Sequence, residues 1–209
     1  MLQTPSPVNS EAWQADLARL RESATLQNSR QVEDGDIEQT HTEIQGKLRD
    51  LGLALGFDVW IASNDQSRTF RNGTLGQGCV TRLPDAILRI ANGDAVRLID
   101  ILWLELGTHA PVAAFEVEHS TSFYSGIVRL LDLALGFRES GAPLRLFLVA
   151  PDKRSEEVRA QLRRPAFSKV QETKFFFVPY GELQKNFEAM GRFGQGIKAI
   201  EAIAERLTP

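Results

Sequence analysis

Residues 99–120 read IDILWLELGTHAPVAAFEVEHS. Two apolar, β-rich runs, Val96–Leu104 and Val112–Val117, are separated by a turn at His109–Pro111. Runs of this length and composition, bounded by turn residues, predict two neighbouring buried strands. Each carries acid where apolar residues are expected: Asp100 within the first run, Glu116 within the second, and Glu118 directly after it. An ionised carboxylate in a core strand is costly unless a cation or hydrogen-bond donors meet it. Glu116 and Glu118 are two apart and project from one face of a strand, where Asp100 from the adjacent strand can converge on them. Hard oxygen donors of this kind suit Mg²⁺ or Mn²⁺ rather than Zn²⁺. The competing reading leaves these acids at strand ends, solvated or paired with arginines.

Upstream, Ile44, Leu48, Leu51, Leu53 and Leu55 recur at near-helical spacing from Thr40 until Gly56 stops the run. Phe57–Ala62 follows as a strand, and a Gly-rich stretch, Asn72–Gly78, reads as a mobile loop. Downstream, Phe123–Phe137 has its leucines at helical intervals behind the capping residues Ser120, Thr121 and Ser122. Leu144–Ala150 is a strand, Ser155–Arg163 a helix, Lys174–Val178 the last strand, and Tyr180–Met190 and Ile197–Leu207 are closing helices. This order predicts an α/β fold with a mixed central β-sheet flanked by helices on both faces. Residues 1–37 form a polar N-terminal arm with a short helix near Glu11–Ala24, and residues 38–209 a single α/β domain.

The whole chain agrees with that reading. Its 209 residues approach the length of one domain of roughly 150 plus an extension, and 43% hydrophobic with 24% charged residues excludes fibrous, collagenous and wholly disordered classes. One cysteine, Cys79, excludes an internal disulfide and, without a Cys/His cluster, a structural zinc site. No apolar run approaches the ~20 residues that cross a bilayer, and residues 1–11 carry no secretory pattern, so a cytoplasmic protein is expected. A net charge of −3 argues against general polyanion binding. A local basic excess nevertheless exists between Arg129 and Lys169, with nine Lys or Arg against five acids. Arg129, Lys153, Arg154, Arg163 and Arg164 are its candidates for meeting phosphates, with a solvated helix face as the competing reading.

The pattern Ile99-Asp100, fifteen residues, then Glu116-Val117-Glu118 resembles the PD-(D/E)xK nuclease superfamily. So does the element order from Thr40 to about Val178, which is similar to its restriction-endonuclease-like core. The resemblance implies that Asp100 and Glu116 bind the metal. Glu118 stands where the family usually has Lys, a replacement some restriction enzymes of the superfamily share. Family members also place a Glu on the helix before the first strand, a position that Glu43 fits. FEVEHSTSFYSGIVRLLDL and LVAPDKR resemble segments of bacterial nuclease-like domains linked with restriction or phage defence. A second copy of the chain or a partner protein of a defence system is the assembly this context implies.

Other residues rank lower. Pro84-Asp85 is a literal Pro-Asp, but thirty residues separate Asp85 from Glu116 and the dipeptide reads as a helix start. His119 points away from Glu118 if the strand continues, His41 lies about half a helical turn from Glu43, and Cys79 reads as a packed thiol. The functional expectation is a metal-dependent phosphodiesterase cleaving DNA, with Asp100, Glu116, Glu118 and Glu43 as its catalytic acids and Mg²⁺ or Mn²⁺ held by Asp100, Glu116 and Glu118. The alternative is a catalytically silent module of the same fold that binds nucleic acid or a partner protein.

Overall fold

Ile44, Leu48 and Leu51 form one buried stripe along the first helix, α1 (Gly35–Ala54). At its end Gly56 adopts φ +85, a left-handed conformation that suits glycine, and the Phe57 amide closes back on the Gly52 carbonyl (3.0 Å). The computed structural model describes residues 35–90, 92–119, 123–137, 144–164 and 173–207. The chain then forms β1 (Asp58–Ile61), a small hairpin of β2 (Thr69–Phe70) and β3 (Gly73–Thr74), and two helical turns, α2 (Asp85–Leu88) and α3 (Gly93–Val96). The antiparallel pair β4 (Ile101–Leu104) and β5 (Pro111–Val117) comes next, followed by α4 (Tyr124–Gly136), β6 (Arg145–Ala150), α5 (Ser155–Leu162) and β7 (Lys174–Pro179). Helix α6 (Tyr180–Phe193), the turn α7 (Lys198–Glu201) and β8 (Glu205–Arg206) complete the described fold.

The main sheet has the order β1-β4-β5-β6-β7-β8. Strands β5, β6 and β7 run parallel, and the remaining pairings are antiparallel. Alternation along each strand sends side chains into two separate cores. On one face Leu102, Ala114, Leu146, Leu148 and Phe177 pack against α4 and α5 through Ile127, Leu130 and Val158. On the other, Val59, Trp103, Phe115, Phe147 and Phe176 pack against α1 and α6 through Leu48, Leu51 and Leu183. There an aromatic ladder crosses the sheet, Phe57–Trp103–Phe115–Phe147–Phe176, at centroid separations of 5.2, 4.6, 4.8 and 5.1 Å. This is the mixed sheet with helices on both faces that the sequence predicts, and it is consistent with a restriction-endonuclease-like core.

Three expectations of local structure are corrected. Val96–Leu104 is not one strand: Val96 ends α3, Leu98 and Ile99 make turn hydrogen bonds to Ala95 and Val96, and Asp100 lies just before β4 rather than inside it. Ile197–Leu207 is not one helix, because Glu205 and Arg206 pair with Phe177 and Phe176 and so cover the open edge of β7. The Gly-rich stretch is a hairpin anchored by buried Leu75, with Arg49 donating to the Thr74 and Leu75 carbonyls (3.1 and 3.0 Å). Helix α1 begins at Gly35, so the expected boundary at residues 37 and 38 falls inside it. The short helix near Glu11–Ala24 and the caps Ser120, Thr121 and Ser122 lie outside the described residues.

Candidate functional site

The register of β4 on β5 pairs Ile101 with Phe115, so one further step along the ladder brings Asp100 opposite Glu116. Both acids thus sit at the end of the antiparallel pair, where β5 reaches the carboxyl ends of the parallel strands β5, β6 and β7. In mixed α/β sheets that is where functional groups collect. The described residues bring Asp100, Glu116 and Glu118 into one buried cluster at this end, and all three are at most 7% exposed.

Each carboxylate is held from a different element. Asp100 Oδ2 accepts the Val117 amide (2.7 Å) and faces His41 Nε2 (3.4 Å), while Oδ1 accepts Gln45 Nε2 (3.1 Å). His41 and Gln45 are four apart on α1 and therefore share its inward face. Gln45 also donates to Asp65 (2.8 Å), whose second oxygen accepts Arg68 (2.6 Å). Glu116 points to the opposite helix layer, where Arg129 of α4 grips it with two parallel bonds, Nε to Oε1 at 2.8 Å and Nη2 to Oε2 at 2.6 Å. The first turn of α4 comes close enough for this because residue 126 is glycine. A Cβ there would stand 3.1 Å from Glu116 Cβ and 3.2 Å from Glu118 Oε1.

The charges are linked. Burial opposes the charged form of His41, yet Asp100 beside it, with help from Asp65 and Glu118, raises its pKa from 6.5 to about 9. Burial would raise Asp100, but His41, Arg129 and the Val117 amide hold it below the usual carboxylate range. Glu116 is pushed upward by burial and by its neighbours Asp100 and Glu118, with Arg129 pulling the other way. The fork-to-fork contact, with both oxygens accepting, belongs to an ionised carboxylate, so Glu116 is an anion because Arg129 is beside it.

The donor set fits a hard divalent cation in chemistry: carboxylate oxygens on adjacent strands, with mutual repulsion that a positive charge relieves. Among the described residues, however, no three His, Cys, Asp or Glu side chains converge as a ready ligand set. Arg129 and His41 supply the positive charge instead.

Several expected residues are placed differently. Glu43 is exposed, two residues from both His41 and Gln45 and so on the other side of α1; those two occupy the place at Asp100 that the sequence assigns to Glu43. Asp85 is exposed and paired with Arg82 and Arg89, as a helix-start residue would be. Arg129 is not a surface contact, since its side chain is 17% exposed and engaged by Glu116. Arg154 lies over the Phe123 ring (3.8 Å) and pairs with Glu157 (3.0 Å), and Arg164 bonds the Tyr124 hydroxyl and lies over its ring. Lys153 and Arg163, at either end of α5, are exposed. His119, expected only to point away from Glu118, is half-buried against Tyr180 with ring centroids 5.9 Å apart.

Gln45, Asp65 and Tyr180 are site residues that the sequence does not single out. For Gln45 a signal exists: it is an amide next to Ile44 in an apolar stripe, one helical turn from a histidine. Cys79 is a half-buried thiol, pushed up to about 11 by burial, and does not belong to this cluster.

Residues 22–207 match the family model of the C-terminal domain of the type II restriction enzyme NmeDI. The chain is similar to the type II restriction enzyme NmeDI of Neisseria meningitidis serogroup C, with 32% identity over 157 residues. That match covers 73% of this chain and 43% of the relative, so the chain spans less than half of the relative's length. No solved structure matches.

Proposed function

The chain belongs to the family of the NmeDI restriction-enzyme C-terminal domain, and from that premise we propose that it is a DNA endonuclease module of the PD-(D/E)xK type, acting in restriction or phage defence. The observation that carries the reading is the buried acid pair at the end of β4 and β5, Asp100 opposite Glu116 with Glu118 following, in a chain related to a type II restriction enzyme.

Asp100 and Glu116 would hold a divalent cation, Mg²⁺ or Mn²⁺, with Glu118 close by. When bound, such an ion supplies a Lewis acid for the phosphoryl group and lowers the pKa of a water. The chain's own residues prepare that chemistry. The Val117 amide and Gln45 fix the Asp100 carboxylate, and His41 keeps it ionised. Arg129 keeps Glu116 ionised in a site where burial favours the neutral acid. Glu118 would orient water, in the place where the superfamily usually has Lys. Lys153 and Arg163, exposed at the two ends of α5, would meet backbone phosphates from solvent.

One observation favours a second reading. Both oxygens of Glu116 are occupied by Arg129, which is how a silent module would neutralise an abandoned metal site. Titrating the protein with Mg²⁺ and Mn²⁺ while following thermal unfolding, then assaying plasmid cleavage, separates the two. The nuclease reading expects metal-dependent stabilisation together with cleavage. Neither effect, with DNA binding retained, would establish the silent module.

A further inference from the structure

Beside the acid cluster stand two polar atoms that the chemistry above does not use. Tyr180 is the first residue of α6, at the carboxyl end of β7, and is 7% exposed. Its hydroxyl is fully buried and, among the described residues, has no hydrogen-bond partner. The same holds for Nδ1 of His119, directly after Glu118, whose ring packs on Tyr180 at 5.9 Å. Leaving a buried hydroxyl or ring nitrogen unbonded costs about 1–3 kcal/mol each. Two such atoms together, at the strand ends where the carboxylates gather, offer hydrogen-bonding groups that the fold itself does not use.

The surroundings specify the ligand. The phenol is buried, feels the negative charges of Glu118 and Asp100, and also feels the positive charge of Arg154. A neutral O–H donor in the field of both a carboxylate cluster and a guanidinium suits an oxygen acceptor that carries charge, such as a phosphodiester. We propose that Tyr180, with His119 stacked on it, is a substrate-positioning residue whose hydroxyl donates a hydrogen bond to a phosphate oxygen of the DNA strand entering the acid cluster. This rests on the nuclease-fold reading for its substrate class, but not on catalysis.

The test uses Tyr180→Phe, which removes one oxygen and keeps the ring, and His119→Phe, which keeps the ring contact and removes both nitrogens. Binding of a short DNA duplex is read by fluorescence anisotropy in Ca²⁺ over a range of salt, with thermal unfolding alongside and cleavage measured in Mg²⁺. Tyr180→Phe should weaken duplex binding by about tenfold or more, the share of one hydrogen bond to a charged group. Its melting temperature should hold or rise, since no internal bond is lost, and the slope of affinity against salt should stay as in wild type, because no charge is removed. His119→Phe should weaken binding in the same direction.

A Tyr180→Phe protein that binds DNA like wild type overturns the proposal. So does a fall in melting temperature that accounts for the binding loss, which would make the hydroxyl a structural group. Wild type that binds but does not cleave, with the Tyr180→Phe loss intact, retains the proposal and removes the nuclease reading. Wild type that neither binds nor cleaves overturns both.

Discussion

Glu116 is fully buried, and Arg129 is what makes its charge tolerable. Breaking a buried ion pair from one side strands the other charge and costs about 3–5 kcal/mol. Arg129→Met should therefore destabilise the fold by that order in urea unfolding, and Glu116→Gln added to it should recover part of the loss. Simple additivity of the two changes would show that the pair is not coupled. His41 gives a pH signature. Its pKa lies above the unfolded value of 6.5, so its stabilising contribution is fully present below pH 6.5 and disappears as pH rises through about 9. The stability difference between wild type and His41→Gln should then be up to about 3 kcal/mol near pH 6 and shrink toward pH 9.5. A difference that does not change with pH would place the imidazole elsewhere. At this scale the sequence was legible where a residue violated its surroundings. Asp100, Glu116 and Glu118 stood out as acids in apolar runs, and Gln45 leaves a weaker mark as an amide in an apolar stripe, whereas Tyr180 conforms to helix composition and gains meaning only from what it faces.

Helix α4 is the element that completes the site, and Gly126 sets its distance from β5. In an exposed helix Gly→Ala gains about 0.5–1 kcal/mol. Here the new methyl would press on Glu116 Cβ, which is fixed by the strand, and on Glu118 Oε1. Gly126→Ala should instead lose about 1–3 kcal/mol, as overpacking does, and displace the carboxylates. Stabilisation by this change, measured by urea unfolding, would mean that the helix approaches less closely. Elements with strong periodicity were legible: β5, α4, β6 and β7 lie within a residue of their predicted bounds, and α1 starts five residues before its apolar pattern. Local pattern failed where tertiary pairing decided. The Val96–Leu104 run is apolar throughout except for Arg97 and Asp100, yet only its second half has a strand partner. Glu205 and Arg206 leave a helical pattern because β7 offers unpaired backbone.

For the molecule as a whole, the sheet order brings together residues far apart in the chain: His41 and Gln45 from α1, Asp100, Glu116 and Glu118 from the β4–β5 pair, Arg129 from α4 and Tyr180 from α6. The class of fold followed from the alternation of strands and helices. The partners of each acid did not, because spacing cannot say which helix covers which face, so Arg129 reads as a surface cation in the sequence and is an internal one in the fold. The Asp100–Glu116 cluster is the proposed centre of DNA cleavage. The most direct measurement is plasmid cleavage in Mg²⁺ by wild type and Glu116→Gln, with duplex binding and thermal unfolding measured on the same preparations. Wild type should cleave, and Glu116→Gln, destabilised by the stranded Arg129 and so assayed below its own unfolding temperature, should bind the duplex and fail to cut it. Equal cleavage by the two proteins would contradict the assignment of the site.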